Sequence, residues 1–290
     1  MRRNSRTSAR SSRRHAGRRF RGEADSRNRL GYALIAGSAL VCAALGFAAA
    51  RPTVQIDPVN GCPVGNRTPQ AHTIILVDET DRLSPDDLHY LRSVIKTEYL
   101  WLPKHGRLTI RNIVADPEKA EDTVICRISD GSDIKGVLVN KRKVQQDFDR
   151  TAGARLKALS AELASAPQEP YSPILEFIGR VMERADFGAN VKARRLVVVS
   201  DFAQHSPLVS HYERFRSDLP DYVEDQLHHD MSGVEVRLHY ISRAKLRMQG
   251  ERHKAFWTGH LETMGAHAVL GRSLVIGETP DKETWIDAPA

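Results

Sequence analysis

A run of 21 residues without a single charge is the feature that most constrains how this chain can fold. It extends from Leu30 to Ala50 and lies between Arg29 and Arg51. At about 1.5 Å per residue, a helix of this length spans roughly 30 Å, the thickness of the hydrocarbon core of a bilayer. A core helix of a soluble protein normally has a polar face, and this run has none. The sequence therefore predicts a transmembrane helix over residues 30–50.

The net charge of +7 belongs to one end of the chain. Residues 1–29 hold eleven Arg and two acids, a net charge of +9, so the remaining 261 residues carry −2. A segment with so few apolar residues cannot bury enough surface to offset chain entropy, so we expect a disordered basic tail. Because the rest of the chain is close to neutral, we expect no nucleic-acid partner for the folded domain.

The flanking charges also predict an orientation. Eleven Arg precede the apolar run, whereas residues 50–61 hold one Arg and one Asp. The positive-inside rule then places the N-terminus in the cytoplasm and the domain beyond the inner (cytoplasmic) membrane, in a periplasmic or extracellular compartment, with a single membrane pass. The small residues 48–50 leave a cleaved signal, and thus a periplasmic binding protein, as the alternative. The long basic region and the long apolar run favour an uncleaved signal anchor.

The cysteines fit an exported domain. Cys42 lies in the apolar run, so Cys62 and Cys126 are the pair that remains. In an oxidising compartment they could form one disulfide, which would tie the predicted Pro-rich linker, residues 51–70, to the second or third strand of the domain. Two unrelated buried thiols are the alternative.

Strands and helices alternate through residues 71–276, and residues 277–290 form a C-terminal tail. The predicted strands cover 72–79, 107–115, 122–129, 193–202, 234–242 and 267–276. Helices are expected after a cap at Ser84, over 140–166, from 172 onwards and over 251–265, with a partly helical segment at 205–229. This alternation predicts an α/β domain of three layers, with an open, mainly parallel sheet and right-handed crossovers.

Two acids lie where such a sheet binds ligands. Asp78 ends the first predicted strand, Asp201 ends the most apolar one, and Ser172 begins a helix between them in the sequence. In open α/β sheets, ligands bind at the carboxyl ends of the strands. We therefore expect a site that contains these three residues.

The residues at these points resemble the motifs of the von Willebrand factor A (vWA) domain family. That family has a first strand that ends Asp-x-Ser/Thr-x-Ser, a helix that starts Thr-Pro-Leu, and a later apolar strand that ends Ser-Asp-Gly. The matching segments here, in the same order, are Asp78-Glu79-Thr80-Asp81-Arg82, Ser172-Pro173-Ile174 and Val197-Val198-Val199-Ser200-Asp201-Phe202. The resemblance covers about residues 71–276. It departs from the family at Arg82, where Ser is expected, and at Phe202, where Gly is usual.

The resemblance implies a metal-ion-dependent adhesion site. By position in the motifs, the metal ligands would be Asp78, Thr80, Ser172 and Asp201. Their hydroxyl and carboxylate oxygens suit Mg²⁺, which would leave a coordination position for an acidic group of a partner. Arg82 cannot ligate a cation, so the expected site is degenerate. In the metal-free alternative, Asp78 and Asp201 accept hydrogen bonds from strand-end amides or cap helices, with Arg82 as their counter-ion.

The expected function is non-enzymatic: a protein-binding, adhesion or scaffold module of a bacterial-type cell envelope, with a protein partner that the sequence does not name. A different class remains open, since Asp78 followed by Thr80 also resembles the nucleophile motif of haloacid-dehalogenase-type phosphatases. That family has an acid where Thr80 stands. The sequence contains neither a Gly-rich phosphate loop nor a GxSxG nucleophile elbow.

Overall fold

A computed structural model describes residue 29 and residues 31–44, 46–47, 55–65, 68–78, 80–129, 140–163, 169–215 and 219–271. The chain divides into two compact units, Met1–Val54 and Gln55–Ala290.

In the first unit, residues 31–44 and 46–47 are helical, and nearly all of their side chains are exposed. Among the described residues, no helix is both long enough and apolar enough to cross a membrane. Parts of the predicted span, residues 30, 45 and 48–50, lie outside the described residues, as do residues 1–28 of the predicted basic tail. The predicted C-terminal tail, 277–290, also lies outside them.

The second unit contains one sheet, in which six strands are described. These strands are β1 (Ala71–Asp78), β2 (Arg107–Ile113), β3 (Asp122–Cys126), β4 (Ala193–Ser200), β5 (Val234–Tyr240) and β6 (His267–Gly271). The described helices are α1 (Pro85–Trp101), α2 (Lys141–Phe148), α3 (Ala154–Leu163), α4 (Ile174–Met182), α5 (His211–Arg214), α6 (Asp221–Leu227) and α7 (Glu251–Thr263). Short 3₁₀ turns cover Pro117–Lys119 and Ala185–Phe187.

The strand order is β3-β2-β1-β4-β5-β6, and every neighbouring pair is parallel except β2 and β3. This confirms the predicted mainly parallel sheet. The chain order reverses between β1 and β4, and such a reversal opens a crevice at the carboxyl ends of the two strands. The topology thus singles out the ends of β1 and β4.

Two separate cores show that the helices cover both faces of the sheet. Successive side chains of a strand point to opposite faces. In β1, Ile74 packs with α4, α6 and α7, whereas the next residue, Ile75, packs with α1 and α3. The domain therefore has the three layers that the sequence predicts.

Local signals account for the start of α1. Ser84 caps it, since the hydroxyl of Ser84 accepts a hydrogen bond from the backbone N–H of Asp87, and the Asp87 carboxylate accepts one from the backbone N–H of Ser84. Pro85 occupies the first turn, where its missing N–H costs nothing. The capping box expected from the sequence is confirmed.

The helix predicted over residues 140–166 is interrupted. A π-helical turn, Asp149–Gly153, separates α2 from α3. Within it, the hydroxyl of Thr151 donates to the carbonyl of Asp147 at 2.7 Å, a side-chain bond that competes with the regular helical pattern. Apolar periodicity cannot reveal such a turn because it adds a single residue to the repeat.

Cys62 and Cys126 form a disulfide, which confirms the predicted pair. Cys126 ends β3, so the bond holds residues 55–65 of the predicted linker against the edge of the sheet. The backbone N–H of Cys126 also donates to the carbonyl of Asn60 at 2.8 Å. Gly61 makes this approach possible, because it has a φ of +73° and a side chain there would lie about 3.1–3.2 Å from Ile128 and Cys126.

Candidate functional site

The Asp78 carboxylate is the centre of a hydrogen-bonded cluster at the end of β1. Its Oδ2 accepts hydrogen bonds from the hydroxyls of Ser172, at 2.9 Å, and Ser200, at 2.6 Å. Its Oδ1 accepts from the hydroxyl of Thr80, at 2.7 Å, and from the backbone N–H of Thr80, at 3.1 Å. Three hydroxyls from three separate segments therefore converge on one buried carboxylate.

Backbone pairing brings Ser172 to this cluster. Its N–H donates to the carbonyl of His205 at 2.8 Å, and the N–H of His205 donates back to the carbonyl of Ser172 at 2.9 Å. The buried side chain of Gln204 strengthens the link, since it accepts from the N–H of Leu175 and donates to Glu176. The start of α4 is thus fastened to the loop after β4, and the Ser172 hydroxyl is aimed at Asp78.

Asp201 lies directly after β4 and is 7% exposed. Its Oδ1 accepts a hydrogen bond from the backbone N–H of Ala203 at 2.9 Å. Burial, followed by the negative charge of Asp78, raises the pKa of Asp201 to about 7. All four sequence-predicted residues, Asp78, Thr80, Ser172 and Asp201, therefore lie together at the switch point between β1 and β4.

Within the described residues, neither acid is paired with a basic side chain. Across the described part of the chain, no salt bridge joins Asp78 or Asp201 to a basic side chain. Arg243 is the basic group that acts on Asp201, and its guanidinium is bound to Asp87 at 2.7 Å. In the metal-free alternative Arg82 is the counter-ion; it is exposed, and the described contacts of the two acids do not include it.

Phe202 occupies a strained position beside the site. Its φ is +62°, a left-handed conformation that is costly for a bulky residue and free of strain for glycine. The ring is fully buried, stacks on Tyr240 and meets the edge of Trp257, whose indole N–H donates to the carbonyl of Phe202. Packing therefore holds a conformation that the sequence pattern normally assigns to Gly.

An aromatic rim borders the acids. The ring of His205 lies 5.2 Å from that of Tyr171 and 5.4 Å from that of Tyr212. Tyr212 is half exposed. Burial raises the pKa of Tyr212 to about 12, and the negative charges of Asp201, Asp81 and Asp78 contribute to this rise. The rim offers a partner an accessible aromatic surface next to buried negative charge.

Several residues of this site were not indicated by the sequence, among them Ser200, Tyr212 and Arg243. Ser200 stands next to Asp201 in the quoted motif, so its hydroxyl could have been included. Tyr212 and Arg243 follow β4 and β5 at distances that no motif marks, and only the folded chain brings them to the site.

Comparisons with known proteins give matches in structure alone. No protein-family model and no curated protein matches the chain. Among solved structures, the VWA domain of SpRpn10 matches with a TM-score of 0.34 at 11% identity, over 69% of this chain and 87% of that one. The pilus adhesin SpaC from Lactobacillus rhamnosus GG matches in its open conformation with a TM-score of 0.39 at 8% identity, over 72% of this chain. A second SpaC structure matches with a TM-score of 0.39 at 9% identity, over 74% of this chain.

The chain spans 29% and 30% of the two SpaC structures, less than a third of their length. Identities and scores this low say nothing about binding or activity. What is shown is the chain's own architecture, a three-layer α/β domain with a mostly parallel six-stranded sheet, which is consistent with a vWA-like or Rossmann-like fold.

Proposed function

We propose that this chain is a membrane-anchored, extracytoplasmic protein-binding or scaffold module of a bacterial-type cell envelope, and that its partner binds at the carboxyl ends of β1 and β4. One observation carries the proposal: two buried acids, Asp78 and Asp201, lie at the switch point without a salt bridge to any described basic side chain, and the pKa of Asp201 is raised to about 7. Buried charge is costly unless it is paired, so a site of this kind favours a ligand that neutralises it.

The donor set fits a divalent cation such as Mg²⁺. Asp78, Thr80, Ser172 and Asp201 would hold it through carboxylate and hydroxyl oxygens, the ligands that hard cations prefer. The hydroxyls of Thr80 and Ser172 donate to Asp78, which leaves their oxygen lone pairs available. A bound cation would supply the positive centre that a carboxylate of a protein partner contacts.

The anchor and the location are supported by the sequence and by the disulfide. The uncharged run over residues 30–50 follows eleven Arg, which favours a signal anchor with a cytoplasmic N-terminus. The Cys62–Cys126 bond fits an oxidising compartment outside the cytoplasm. Cell fractionation and N-terminal sequencing test this part: a mature N-terminus at Arg51 would show that the run is a cleaved signal.

Calorimetric titration of the full chain with Mg²⁺ and Mn²⁺ tests the cation site. We expect binding that Asp201→Asn and Ser172→Ala abolish. The matched control is Asp225→Asn, an exposed acid on α6, which should bind as the wild type does. Wild-type protein that binds neither ion at millimolar concentration would leave a metal-free scaffold and remove the cation from the proposal.

Photo-cross-linking in intact cells tests the binding surface. A photoreactive residue at position 212 should capture an envelope protein, and Asp78→Asn should abolish the capture. A photoreactive residue at Tyr222, an exposed position on α6, serves as the control. Equal capture from both positions would show that the partner does not bind at the strand ends.

The phosphohydrolase alternative has less support. Both oxygens of Asp78 accept hydrogen bonds from hydroxyl groups, which stabilise the carboxylate and make it a poorer nucleophile. A phosphatase assay with the full chain and Asp78→Asn decides the matter, because activity that disappears in the variant would revive an enzymatic role.

A further inference from the structure

A groove of about 600 Å³ lies between α1 and the segment α2–α3, away from the strand-end site. On α1, the groove is centred at Lys96. This residue lies eleven residues beyond the first residue of the helix, or about 16 Å along the helix axis, which places the groove away from the strand-end site. The volume falls in the range of about 300–1,000 Å³ that is typical of sites for small molecules. The groove is thus a second candidate site, independent of the partner site proposed above.

The floor of the groove is apolar and built from both helical segments. Ile95 and Tyr99 come from α1, Phe148 ends α2, and Leu156 belongs to α3. The rings of Tyr99 and Phe148 lie 6.0 Å apart. Leu100, on the border of the groove, is 45% exposed. A hydrocarbon chain in the groove would cover this surface.

The π turn shapes the groove. It spaces Phe148 and Gly153 by five residues, one turn of a π helix, and both line the groove. A side chain at position 153 would lie 3.3–3.4 Å from the carbonyl and the ring of Phe148, so glycine lets the ring lie against the turn. Single π turns are rare and occur frequently at functional sites. The irregular turn thus forms part of the wall.

The described rim of the groove includes basic side chains. Among the described residues that line the groove, Arg92, Lys96 and Lys157 are basic and none is acidic. Lys96 and Lys157 are exposed, and they belong to the two helices α1 and α3 that both contribute to the groove. This combination of an apolar floor and a cationic rim is complementary to a molecule with a hydrocarbon part and a negative head group.

We propose that this groove binds a monomeric anionic amphiphile, with one hydrocarbon chain against Ile95, Tyr99, Phe148 and Leu156 and one acidic head group between Lys96 and Lys157. The apolar floor supplies affinity by burying the chain, and the lysines select the sign of the head group. A long-chain carboxylate is the simplest ligand of this class.

Photo-labelling of the full chain tests the proposal. The protein is placed in phosphatidylcholine nanodiscs and irradiated with dodecanoate that carries a diazirine on its chain, and the labelled peptides are mapped by mass spectrometry. We expect label on peptides that contain residues 92–100 and 148–157. Excess dodecanoate should suppress it, whereas dodecyltrimethylammonium, which has the same chain and the opposite charge, should not.

Charge reversal provides the matched variants. Lys96→Glu combined with Lys157→Glu should reduce labelling of the groove about fivefold or more, since two attractive charges become repulsive. Lys119→Glu makes the same change at an exposed lysine whose neighbour, Ala120, packs against the core of the other sheet face, and it should have no effect. Leu100→Ala, a truncation at an exposed site, should reduce labelling about twofold.

Three results would overturn the proposal: no label in the groove, label that the double reversal leaves unchanged, or equal suppression by the cationic amphiphile. Label confined to residues 30–50 would show partition into the bilayer and would overturn it as well. None of these results bears on the strand-end site, whose residues are unchanged in every variant.

Discussion

The two ends of the sheet bury charge in opposite ways. At the amino end, Arg195 donates to Glu98 at 2.8 Å and to Glu235 at 2.7 Å, and Arg237 bonds to the same two acids. The Arg195 guanidinium also lies over the ring of Trp101. At the carboxyl end, Asp78 and Asp201 are held by hydroxyls and amides, without a salt bridge among the described residues.

The pKa values show what this difference means. Burial acts to raise the pKa of Glu235, but the bonds and charges of Arg195 and Arg237 outweigh it and hold that pKa below its usual value. Burial and Asp78 together raise the pKa of Asp201 to about 7. The amino end pairs its buried charges with one another, whereas at the carboxyl end the described residues leave Asp78 and Asp201 without a salt bridge.

The largest effect is expected at the amino end. Glu98→Gln leaves Arg195 buried with one of its two acidic partners removed, so we expect a loss of about 3–5 kcal/mol in the free energy of unfolding. Urea unfolding followed by tryptophan fluorescence measures it. Glu118→Gln, in a pair with Arg180 that is more than half exposed, should cost less than about 1 kcal/mol. Equal losses in the free energy of unfolding for the two variants would show that the buried pair contributes no more to stability than the exposed pair.

Removal of the disulfide should come next. Cys62 and Cys126 are 64 residues apart, and closure of such a loop is worth about 4 kcal/mol in the chain-entropy description. The double variant Cys62→Ser/Cys126→Ser should lose stability of this order in the same urea measurement. Cation binding by folded protein should stay unchanged, because the bond lies at the edge strand β3. A loss of cation affinity in folded variant protein would show that the two ends are coupled.

At the carboxyl end, removal of a charge should raise the free energy of unfolding, the opposite of the effect expected at the amino end. A carboxyl with a folded pKa of about 7 and an unfolded pKa of 3.8 holds its proton longer when folded, so wild-type stability falls as pH rises between these values. The amide of Asp201→Asn does not titrate in this pH range, and its oxygen can still accept the hydrogen bond from the N–H of Ala203. Relative to wild type, the variant should gain on the order of 2–3 kcal/mol between pH 5 and pH 8, in EDTA. A difference that does not change with pH would mean that Asp201 is not perturbed.

The smallest effect is expected at Arg82. Because this side chain is exposed, Arg82→Ser should leave the unfolding midpoint unchanged and raise cation affinity about two- to fivefold by removing a screened positive charge. Arg92→Ser, near the middle of α1, is the control and should not alter the affinity. A larger increase would show that Arg82 reaches the acids in solution.

Much of the fold could be predicted from local patterns. Each described strand and each of the long helices lies at a predicted position, since apolar runs and capping residues act on their own neighbourhood. The π turn at 149–153 was not predicted, because it depends on one inserted residue. The antiparallel direction of β3 was not predicted either, because it depends on the edge at which the strand pairs. The Cys62–Cys126 pair could be predicted because the third cysteine, Cys42, lies in the apolar run.

By itself, the sequence determined the alternation of elements, the concentration of charge in residues 1–29 and the placement of Asp78, Ser172 and Asp201 at strand and helix ends. The tertiary structure alone decided what these residues contact. The hydroxyl of Ser200 reaches Asp78 across 122 residues, and Arg195 reaches Glu98 across 97. Local patterns describe which side of an element is buried, whereas pairing of charge depends on which elements pack together, so which acids were neutralised became known only from the folded chain.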